Sequence, residues 1–445
     1  MAAARIVAET DGLAAVAAKV ATVRQACGFN HALKPPRYSR PNLSTGHPTM
    51  RQRVAVNWSV SSFFGWGVYA LNLALQWSRD PEIELMTTVP VNLNELAVDP
   101  IRFRALRPFL ALSKALQDAS PPLCTARYRL ECPVLSDIDL RPGCLDHWIT
   151  GQPTIGVVFF DTAHLAADII ARARELPLIV AGSEWNRRIL HEHGIDHVVT
   201  VLQGIDPALF HPAPAGGFLG DRFCVFSGGK LEHRKAQDIV LAAFRVFAQR
   251  HAEALLVTAW HCPWRELARS LDVSGLVSPV RFGPGGRLDV TGWSSANGID
   301  PAQILDLGAV PNHEMPSILR EMDVAVFPNR CEGGTNLVAM ECMACGLPVI
   351  LSRNTGHLDL MDGDNCFVLE RQMPLDGYGA GLGDVAGWGE SSVEEVVEMM
   401  ELVFADRETA RRRGRLAADS MARLTWKHTA ERLKGLISGG DLPSQ

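Results

Sequence analysis

From Arg53 onward, short apolar runs rich in β-branched residues alternate with longer segments whose apolar positions recur at the helical period. This alternation is typical of βαβ units, in which a crossover helix follows each parallel strand. The sequence therefore predicts an α/β protein with parallel sheets. In the first half we expect strands at residues 54–60, 83–89, 155–160, 178–181 and 198–202, and an amphipathic helix at 99–119.

The pattern breaks into turn-forming residues around 211–217, and a new strand begins at Phe223. The second half then repeats the alternation. A capping box, Ser392 with Glu395, opens one of its helices, and Thr425 caps a last helix that begins at Trp426. We expect strands at 223–227, 255–259, 304–307, 324–327 and 347–351, helices at 234–249, 336–345 and 393–404, and an irregular glycine-rich loop at 377–389.

These patterns divide the chain into four segments. We expect an N-terminal extension or linker at 1–49, a Rossmann-like domain at 50–211, a second Rossmann-like domain at 218–425, and a C-terminal helix and tail at 426–445. Open parallel sheets bind ligands beyond the carboxyl ends of their strands. A cleft between two such domains is therefore the expected functional site.

Composition excludes several classes of protein. The chain has 445 residues, a net charge of −6 and 21% charged residues, which argues against a disordered chain and against a general nucleic-acid binder. No apolar run is long enough to span a membrane, although the basic amphipathic helix at 99–119 leaves peripheral contact with a membrane as an alternative to an ordinary surface helix. The 10 cysteines lack the spacing of a disulfide scaffold, so we expect a cytoplasmic protein, at most peripheral on the inner membrane face.

Two glycine-containing turns are candidate anion sites. Gly65 and Gly67 lie between the first strand and its helix, where backbone amides can approach a ligand, although a plain tight turn has the same pattern. In the second half, Lys230, Arg234 and Lys235 follow Gly228-Gly229 at the predicted start of a helix. Cations at a helix N-terminus oppose the helix dipole unless an anion binds there. The pattern therefore favours a diphosphate site over a solvated basic turn.

A third segment, 324–350, contains a strand, a loop, a helix and a second strand. Glu332 lies in the loop, the run Gly333-Gly334-Thr335-Asn336 forms an amide-rich helix entry, and Glu341 lies within the helix. Carboxylates at such positions can bind sugar and ribose hydroxyls. Because the residues around Glu341 are mostly apolar, this carboxylate is expected to be buried and to need a partner.

Three separated segments resemble family 4 glycosyltransferases, which are retaining, use nucleotide sugars and have the GT-B fold. They are the Gly65/Gly67 loop, GGKLEHRK at 228–235, and EGGTNLVAMECMACGLPVI at 332–350. The resemblance extends from about Arg53 to Leu436. It implies two Rossmann-like domains facing across a cleft, the first for the acceptor and the second for the donor, with the C-terminal helix returning toward the N-terminal domain.

The resemblance also implies roles for single residues. Lys230 and Lys235 match the family's pyrophosphate-binding cations, and Glu341 matches the glutamate that binds the ribose. Glu332 departs from the family, because eight residues separate it from Glu341 instead of seven, which puts Gly333 at the expected position. A loop one residue longer would still present Glu332 to the donor sugar. The family's histidine near the reacting carbon is matched by His164, for which a plain surface position is the alternative.

The expected reaction transfers a hexose-type sugar from a nucleoside-diphosphate sugar to a hydroxyl of a glycan, a lipid-linked acceptor or a small molecule, with retention. Lysines and amides would stabilise the leaving diphosphate, so no metal or other cofactor is expected. A sugar phosphorylase, a nucleotide-sugar epimerase or an inactive sugar-nucleotide-binding module are the alternatives. The predicted catalytic residues are His164, Glu332 and Lys235, and the predicted donor-binding residues are Gly65, Gly67, Lys230, Arg234, Lys235, Gly333, Gly334, Thr335, Asn336 and Glu341.

Overall fold

The computed structural model describes residues 51–120, 127–138, 149–375, 378–379 and 383–439. The predicted extension at 1–49 and the end of the predicted tail, 440–445, lie outside the described residues. Two parallel six-stranded sheets follow one another along the chain, which confirms the α/β prediction. No helix within the described ranges is long and apolar enough to cross a membrane.

The first sheet has the spatial order β2-β1-β4-β6-β7-β8, and all its neighbouring strands are parallel. Two short strands, β3 and β5, pair with each other outside it. The strands are β1 (Gln52–Val56), β2 (Ile83–Thr87), β3 (Tyr128–Arg129), β4 (Val134–Asp137), β5 (Ile149–Thr150), β6 (Thr154–Val158), β7 (Ile179–Ala181) and β8 (Val198–Thr200).

The second sheet has the order β11-β10-β9-β12-β13-β14, again all parallel. Its strand order reverses between β9 and β12, and such a switch point is where doubly wound sheets bind nucleotides. Its strands are β9 (Phe223–Lys230), β10 (Ala254–His261), β11 (Ile304–Asp306), β12 (Val324–Phe327), β13 (Val349–Ser352) and β14 (Phe367–Leu369).

Helices pack on both sheets. The first domain has α1 (Gly65–Trp77), α2 (Pro100–Ala119), α3 (Ala167–Arg174) and α4 (Glu184–Glu192). The second has α5 (Gln237–Ala248), α6 (Arg265–Arg269), α7 (Val290–Ala296), α8 (Met315–Leu319), α9 (Leu337–Ala344), α10 (Val393–Ala405), α11 (Arg407–Met421) and the final α12 (Trp426–Ile437).

The last helix crosses back to the first domain, as the resemblance implies. Thr425 caps α12 by accepting a hydrogen bond from the His428 amide. The indole of Trp426 stacks on Tyr69 of α1 with ring centroids 5.4 Å apart. At the other end, the Lys434 ammonium lies 2.7 Å from a carboxylate oxygen of Asp80. One apolar core cluster therefore includes residues of both domains and of α12.

Several predicted elements need correction. The predictions did not include β4, which ends in Ser136 and Asp137 and so resembles a loop, or the three-residue strand β14. The helix predicted at 234–249 begins at Gln237, since Ala236 adopts a left-handed conformation with φ of 58° and His233–Lys235 form a separate 3-10 turn. The loop predicted at 377–389 has regular pieces, since β17 (Gly383–Asp384) pairs with β16 (Tyr378–Gly379), and β18 (Gly389–Ser391) pairs with β15 (Gln372–Pro374).

Candidate active site

The candidate site lies at the switch point of the second sheet. Strand β9 ends at Lys230, and the chain leaves β12 through a loop that reaches Glu332. Between them, the 3-10 turn His233–Lys235 projects Arg234 and Lys235 toward that loop. The strand ends thus gather the three predicted cations and one predicted carboxylate at one edge of the sheet.

Arg234 and Lys235 both form ion pairs with Glu332. The Arg234 Nη1 atom lies 3.0 Å from the Glu332 Oε2 atom, and the Lys235 ammonium pairs with Oε1 of the same carboxylate. Arg234 also contacts Glu232 at 2.7 Å and Asp161 of the first domain at 3.4 Å. Glu332 is only 5% exposed, so its ion pairs are shielded from solvent.

Lys230 completes this ion cluster, which we define as Asp161, Lys230, Glu232, Arg234, Lys235 and Glu332. Its ammonium lies 3.1 Å from Glu232 and 5.6 Å from the ring centroid of Trp264. Its side chain is 31% exposed, about twice as exposed as that of Arg234 or Lys235. Three formal positive charges face three formal negative charges, so the cluster is balanced internally.

The neighbouring cations keep the buried carboxylate of Glu332 ionised. Burial alone would raise the pKa of Glu332, but Lys235 and Arg234 outweigh burial and lower that pKa to about 2. For Lys235, burial lowers the pKa and outweighs the opposing effect of Glu332. The backbone N–H of Glu332 donates to the Thr355 hydroxyl at 2.7 Å, and the Asn329 amide donates to its carboxylate, so the longer loop holds Glu332 in one orientation.

Glu341 lies on α9, and its partner comes from a distant segment. The side-chain amide of Asn312, in the segment after β11, donates to the Glu341 carboxylate. The backbone N–H of Asn312 donates 2.8 Å to the carbonyl of Ser62 in the first domain. Burial raises the pKa of Glu341 to about 8 because Asn312 offsets only part of the desolvation. Glu341, the predicted ribose-binding residue, is therefore buried, hydrogen-bonded to Asn312 and linked through Asn312 to the opposite domain.

The two glycines of the first turn differ in their surroundings. A Cβ added at Gly67 would lie 2.4 Å from the Ser61 side chain, so this glycine lets α1 pack against the preceding turn. Gly65 is exposed, and a Cβ there would lie 4.0 Å from Leu337 of the second domain. Only Gly65 thus faces across the cleft, and Gly67 fits the tight-turn alternative.

The first domain covers the predicted helix entry. A Cβ at Gly333 would lie 2.3 Å from the Phe159 carbonyl oxygen, and one at Gly334 would lie 2.7 Å from the Phe159 ring. The Thr335 hydroxyl donates to the Met340 sulfur at 3.0 Å. Asn336 adopts a φ of 65° and caps α9. The side chains of Thr335 and Asn336 are thus engaged with the helix itself, so a role in donor binding would fall to backbone groups of this segment.

His164 lies apart from the ion cluster. Its side chain is 74% exposed, and its Nδ1 atom lies 2.9 Å from a carboxylate oxygen of Asp384. None of its hydrogen bonds within the described ranges reaches Lys235, Glu332 or Glu341. The structure does not bring the three predicted catalytic residues together, and the first-domain side chain that reaches the cluster is Asp161.

Other partners were not predicted from the sequence. Arg330 is fully buried, forms an ion pair with Asp238 at 2.8 Å and another with Glu390 at 2.6 Å, and holds the loop that carries Glu332. Asp161, Glu232 and Asn312 also escaped the sequence reading. Glu232 had a local signal, as an acid two residues after Lys230, but Asn312 and Asp161 meet their partners only through the tertiary fold.

The metal prediction remains open. In the part of the chain that the structure describes, no group of three or more His, Cys, Asp or Glu side chains is arranged to hold a metal ion. Cys342 and Cys345 are buried in the apolar core that the two domains share. Independence from metal stays a prediction.

Comparisons with known proteins agree on one class. Residues 277–376 match the family model described as Glycosyl transferases group 1, and this segment contains Asn312, Glu332 and Glu341. A curated relative, the D-inositol 3-phosphate glycosyltransferase of Stackebrandtia nassauensis, is 26% identical over 263 residues, covering 54% of this chain and 48% of the relative. The match thus spans about half of that relative's length.

Solved structures extend the similarity to both domains. Anabaena HepE, in complex with UDP and glucose, has a TM-score of 0.56 and 12% identity, and the match covers 87% of this chain and 99% of HepE. The sucrose-phosphate synthase of Thermosynechococcus elongatus has a TM-score of 0.57 and 13% identity over 87% and 99% of the two chains. At these identities the likeness concerns the fold, and it confirms the predicted GT-B architecture.

Proposed function

The chain carries a Glycosyl transferases group 1 domain on a GT-B fold, and from this premise we propose that it is a glycosyltransferase. Its donor is a nucleoside-diphosphate sugar, its acceptor group is a hydroxyl, and the anomeric configuration of a hexose-type sugar is retained. One observation carries the proposal. The cations Lys230, Arg234 and Lys235 and the carboxylates Glu332 and Glu341 lie around the carboxyl edge of one sheet, opposite the first domain.

The ion cluster suits the leaving diphosphate. Negative charge grows on this group as the bond to the sugar breaks, and fixed cations in a shielded site stabilise that charge more than water does. Lys230 is the most exposed of the three cations and is the first that an incoming diphosphate meets. Arg234 and Lys235 are held by carboxylates, so they need little rearrangement to receive it.

Donor binding would exchange one anion for another. Without donor, Glu332 neutralises Arg234 and Lys235. A diphosphate oxygen can replace the carboxylate at these cations, and the carboxylate is then free to accept hydrogen bonds from hydroxyls of the donor sugar. The balanced cluster thus couples diphosphate binding to the positioning of the sugar by Glu332.

Glu341 suits the ribose. An ionised carboxylate can accept hydrogen bonds from both ribose hydroxyls, as acidic residues do in dinucleotide sites. Asn312 already fixes one Glu341 oxygen. Since HepE is described in complex with UDP and UDP-glucose, a uridine nucleotide is the first donor to test.

The test is a donor panel with the purified chain. UDP-glucose, ADP-glucose and GDP-mannose are compared by thermal shift and by nucleotide release, with and without a panel of hydroxyl acceptors, and the anomer of the product is read by NMR. Acceptor-dependent release of nucleotide with retention supports the proposal. Phosphate-dependent cleavage indicates a phosphorylase, isomerised donor indicates an epimerase, and binding without turnover indicates an inactive module.

We expect Lys235→Ala to lower turnover by about 100-fold or more, as the loss of an oxyanion-stabilising donor does. Lys235 lies in a three-residue 3-10 turn and not in a strand or an α-helix, so the variant should keep its far-UV circular dichroism spectrum. Steady-state rates with saturating donor provide the measurement. Unchanged turnover would refute the role of this lysine.

A further inference from the structure

A cavity lies on the second domain, at the edge of its sheet opposite the ion cluster. Its volume is about 610 Å³, within the range of about 300–1,000 Å³ that is usual for small-molecule sites. Its walls come from the interdomain linker, which we define as residues 211–222, from residues 319–323 and 345–348, and from α11. We call this space the linker cavity. The amino ends of β9, β12 and β13 adjoin it, whereas the ion cluster lies at the carboxyl ends of β9 and β12.

The linker cavity is separate from the candidate active site. Strand β9 runs from one to the other, with Phe223 lining the cavity and Lys230 in the ion cluster. The eight residues of this strand, at about 3.3 Å each, put about 23 Å between its two ends. A small molecule in the linker cavity therefore touches none of the predicted diphosphate cations.

Two neighbouring side chains hold the interdomain linker against the second domain. The Arg320 guanidinium donates 2.9 Å to the carbonyl of Leu209 and 3.1 Å to that of His211. The Glu321 carboxylate accepts a hydrogen bond of 3.1 Å from the Phe218 N–H. Because side chains of the second domain bond to its backbone, the interdomain linker forms an anchored wall of the cavity.

Two arginines of α11 line the cavity with unused hydrogen-bond donors. Arg407 is the first residue of α11, and Arg411 lies one turn later. Among the described residues, neither guanidinium has a hydrogen-bond partner, and the ion pair of Arg407 with Asp323 is long, at 3.6 Å. A cation at a helix N-terminus opposes the helix dipole, and a second cation four residues later repels the first. A bound anion would relieve both of these costs.

The whole lining combines positive charge with apolar surface. Four arginines and three acids line the cavity, so its formal charge is positive: Asp221, Arg222, Arg320, Glu321, Asp323, Arg407 and Arg411. Most of the other lining residues are apolar, and the buried ones among them include Phe223, Leu319, Met322, Leu347, Val403 and Ala410.

These features together indicate the chemical class of a ligand. Two guanidiniums on successive turns of a helix match the oxygens of a phosphate group better than those of a carboxylate. The apolar surface beside them suits an organic group attached to that phosphate. We propose that the linker cavity is a second ligand site, for an organic phosphate with an apolar body, and that the bound ligand stabilises the interdomain linker.

Calorimetric titration of the whole chain with phenyl phosphate tests the site, with inorganic phosphate and phenol as partial probes. We expect phenyl phosphate to bind at least about tenfold more tightly than either, because each of them lacks one half of the ligand. Arg411→Gln should weaken the binding of phenyl phosphate at least about tenfold, as the loss of a charge-assisted hydrogen bond does. Arg412→Gln is the matched control, since Arg412 is exposed and does not line the cavity, and its affinity should be unchanged.

Three results would overturn the site. They are no binding of phenyl phosphate, equal affinity of phenyl phosphate and inorganic phosphate, and equal affinity of the wild type and Arg411→Gln for phenyl phosphate. Lys230→Gln should keep the affinity of the wild type, and a loss of binding in this variant would mean that the probe occupies the ion cluster instead.

Hydrogen exchange followed by mass spectrometry measures the effect on the interdomain linker. We expect the backbone amides of residues 213–222 to exchange more slowly when phenyl phosphate is bound, and to show no such change in Arg411→Gln. Equal exchange with and without phenyl phosphate would contradict the stabilisation of the linker. None of these measurements uses a donor sugar, so their outcome is independent of the proposed transferase function.

Discussion

At the scale of single residues, Glu332 forms ion pairs with two cations, Arg234 and Lys235, and the diphosphate of a donor would compete with Glu332 for them. Replacement by Gln leaves Arg234 and Lys235 with an unbalanced positive charge, which costs free energy in a shielded site and is relieved when a diphosphate binds. We therefore expect Glu332→Gln to bind UDP about tenfold more tightly, a change of about 1.4 kcal/mol, while turnover falls because the donor sugar loses its carboxylate.

Calorimetric titration with UDP measures this gain. The control is Glu370→Gln, which breaks an ion pair with Arg353 whose two side chains are more than half exposed and which should leave UDP affinity unchanged. Weaker UDP binding by Glu332→Gln would mean that Glu332 supports the diphosphate site instead of competing with it.

Glu341 gives the stability of the protein a dependence on pH. Its pKa is about 8 in the folded chain, against an ordinary value of 4.5. Between these values the folded state holds a proton that the unfolded state releases, so the stability of the wild type falls as pH rises toward 8. Glu341→Gln has no such proton, and we expect its melting temperature to gain on the wild type as pH rises from 5 to about 8.

Melting curves of both proteins across that range measure the difference, and parallel curves would contradict the raised pKa.

The carboxylate of Glu341 should also change its protonation when a nucleotide binds. Because ribose hydroxyls favour the ionised form, we expect UDP binding to the wild type near pH 7 to release protons, and Glu341→Gln to release fewer.

The sequence predicts most residues of the candidate site but not how they meet. Anion and ribose binding were predicted from the residue types of the segments that contain Lys230, Lys235, Glu332 and Glu341. Asp161 and Asn312 come from loops with no pattern of their own. The packing of the two domains brings Asp161 to Arg234, and the fold of the second domain brings Asn312 to Glu341. His164 was predicted from the family resemblance and from its place after a strand, and neither determines where a side chain in a loop points.

At the scale of elements, most strands of the two six-stranded sheets were predictable, including the three-residue strands β7, β8 and β11, whereas β4 and β14 were not. β9 and β10 appear as long apolar runs, whereas β4 ends in Ser136 and Asp137 and resembles a loop. The start of α5 also escaped prediction. No sequence pattern distinguishes a continuous helix from one that is interrupted by the left-handed Ala236.

The last helix depends on packing more than on charge. Trp426 is 2% exposed and stacks on Tyr69, so Trp426→Ala should lower the free energy of unfolding by about 3–5 kcal/mol through lost contacts and a cavity. Lys434 is 26% exposed, and Lys434→Ala should cost only about 0.2–1 kcal/mol for each of its two ion pairs. Urea denaturation of the two variants compares them directly, and an equal loss would contradict this order.

At the scale of the whole molecule, the two domains are in contact at Gly333. The Ser183 hydroxyl donates 2.7 Å to the Gly333 carbonyl, and a methyl group at Gly333 would lie 2.3 Å and 2.4 Å from the carbonyl oxygens of Phe159 and Phe160. Backbone atoms cannot yield as a flexible side chain can. A substitution here should therefore separate the domains without unfolding either sheet.

We expect Gly333→Ala to increase the radius of gyration measured by small-angle scattering and to lower turnover by about 100-fold, since a displacement of about 1 Å between reacting groups has that effect. UDP affinity should change much less, because Lys230, Lys235 and Glu341 all belong to the second domain. Gly283→Ala is the matched control, since its methyl group would lie 4.0 Å from its nearest neighbours, Arg287 and Asp289, which belong to the same domain. If Gly333→Ala kept full turnover, the contact between Gly333 and the 159–160 backbone would not be part of the reacting state.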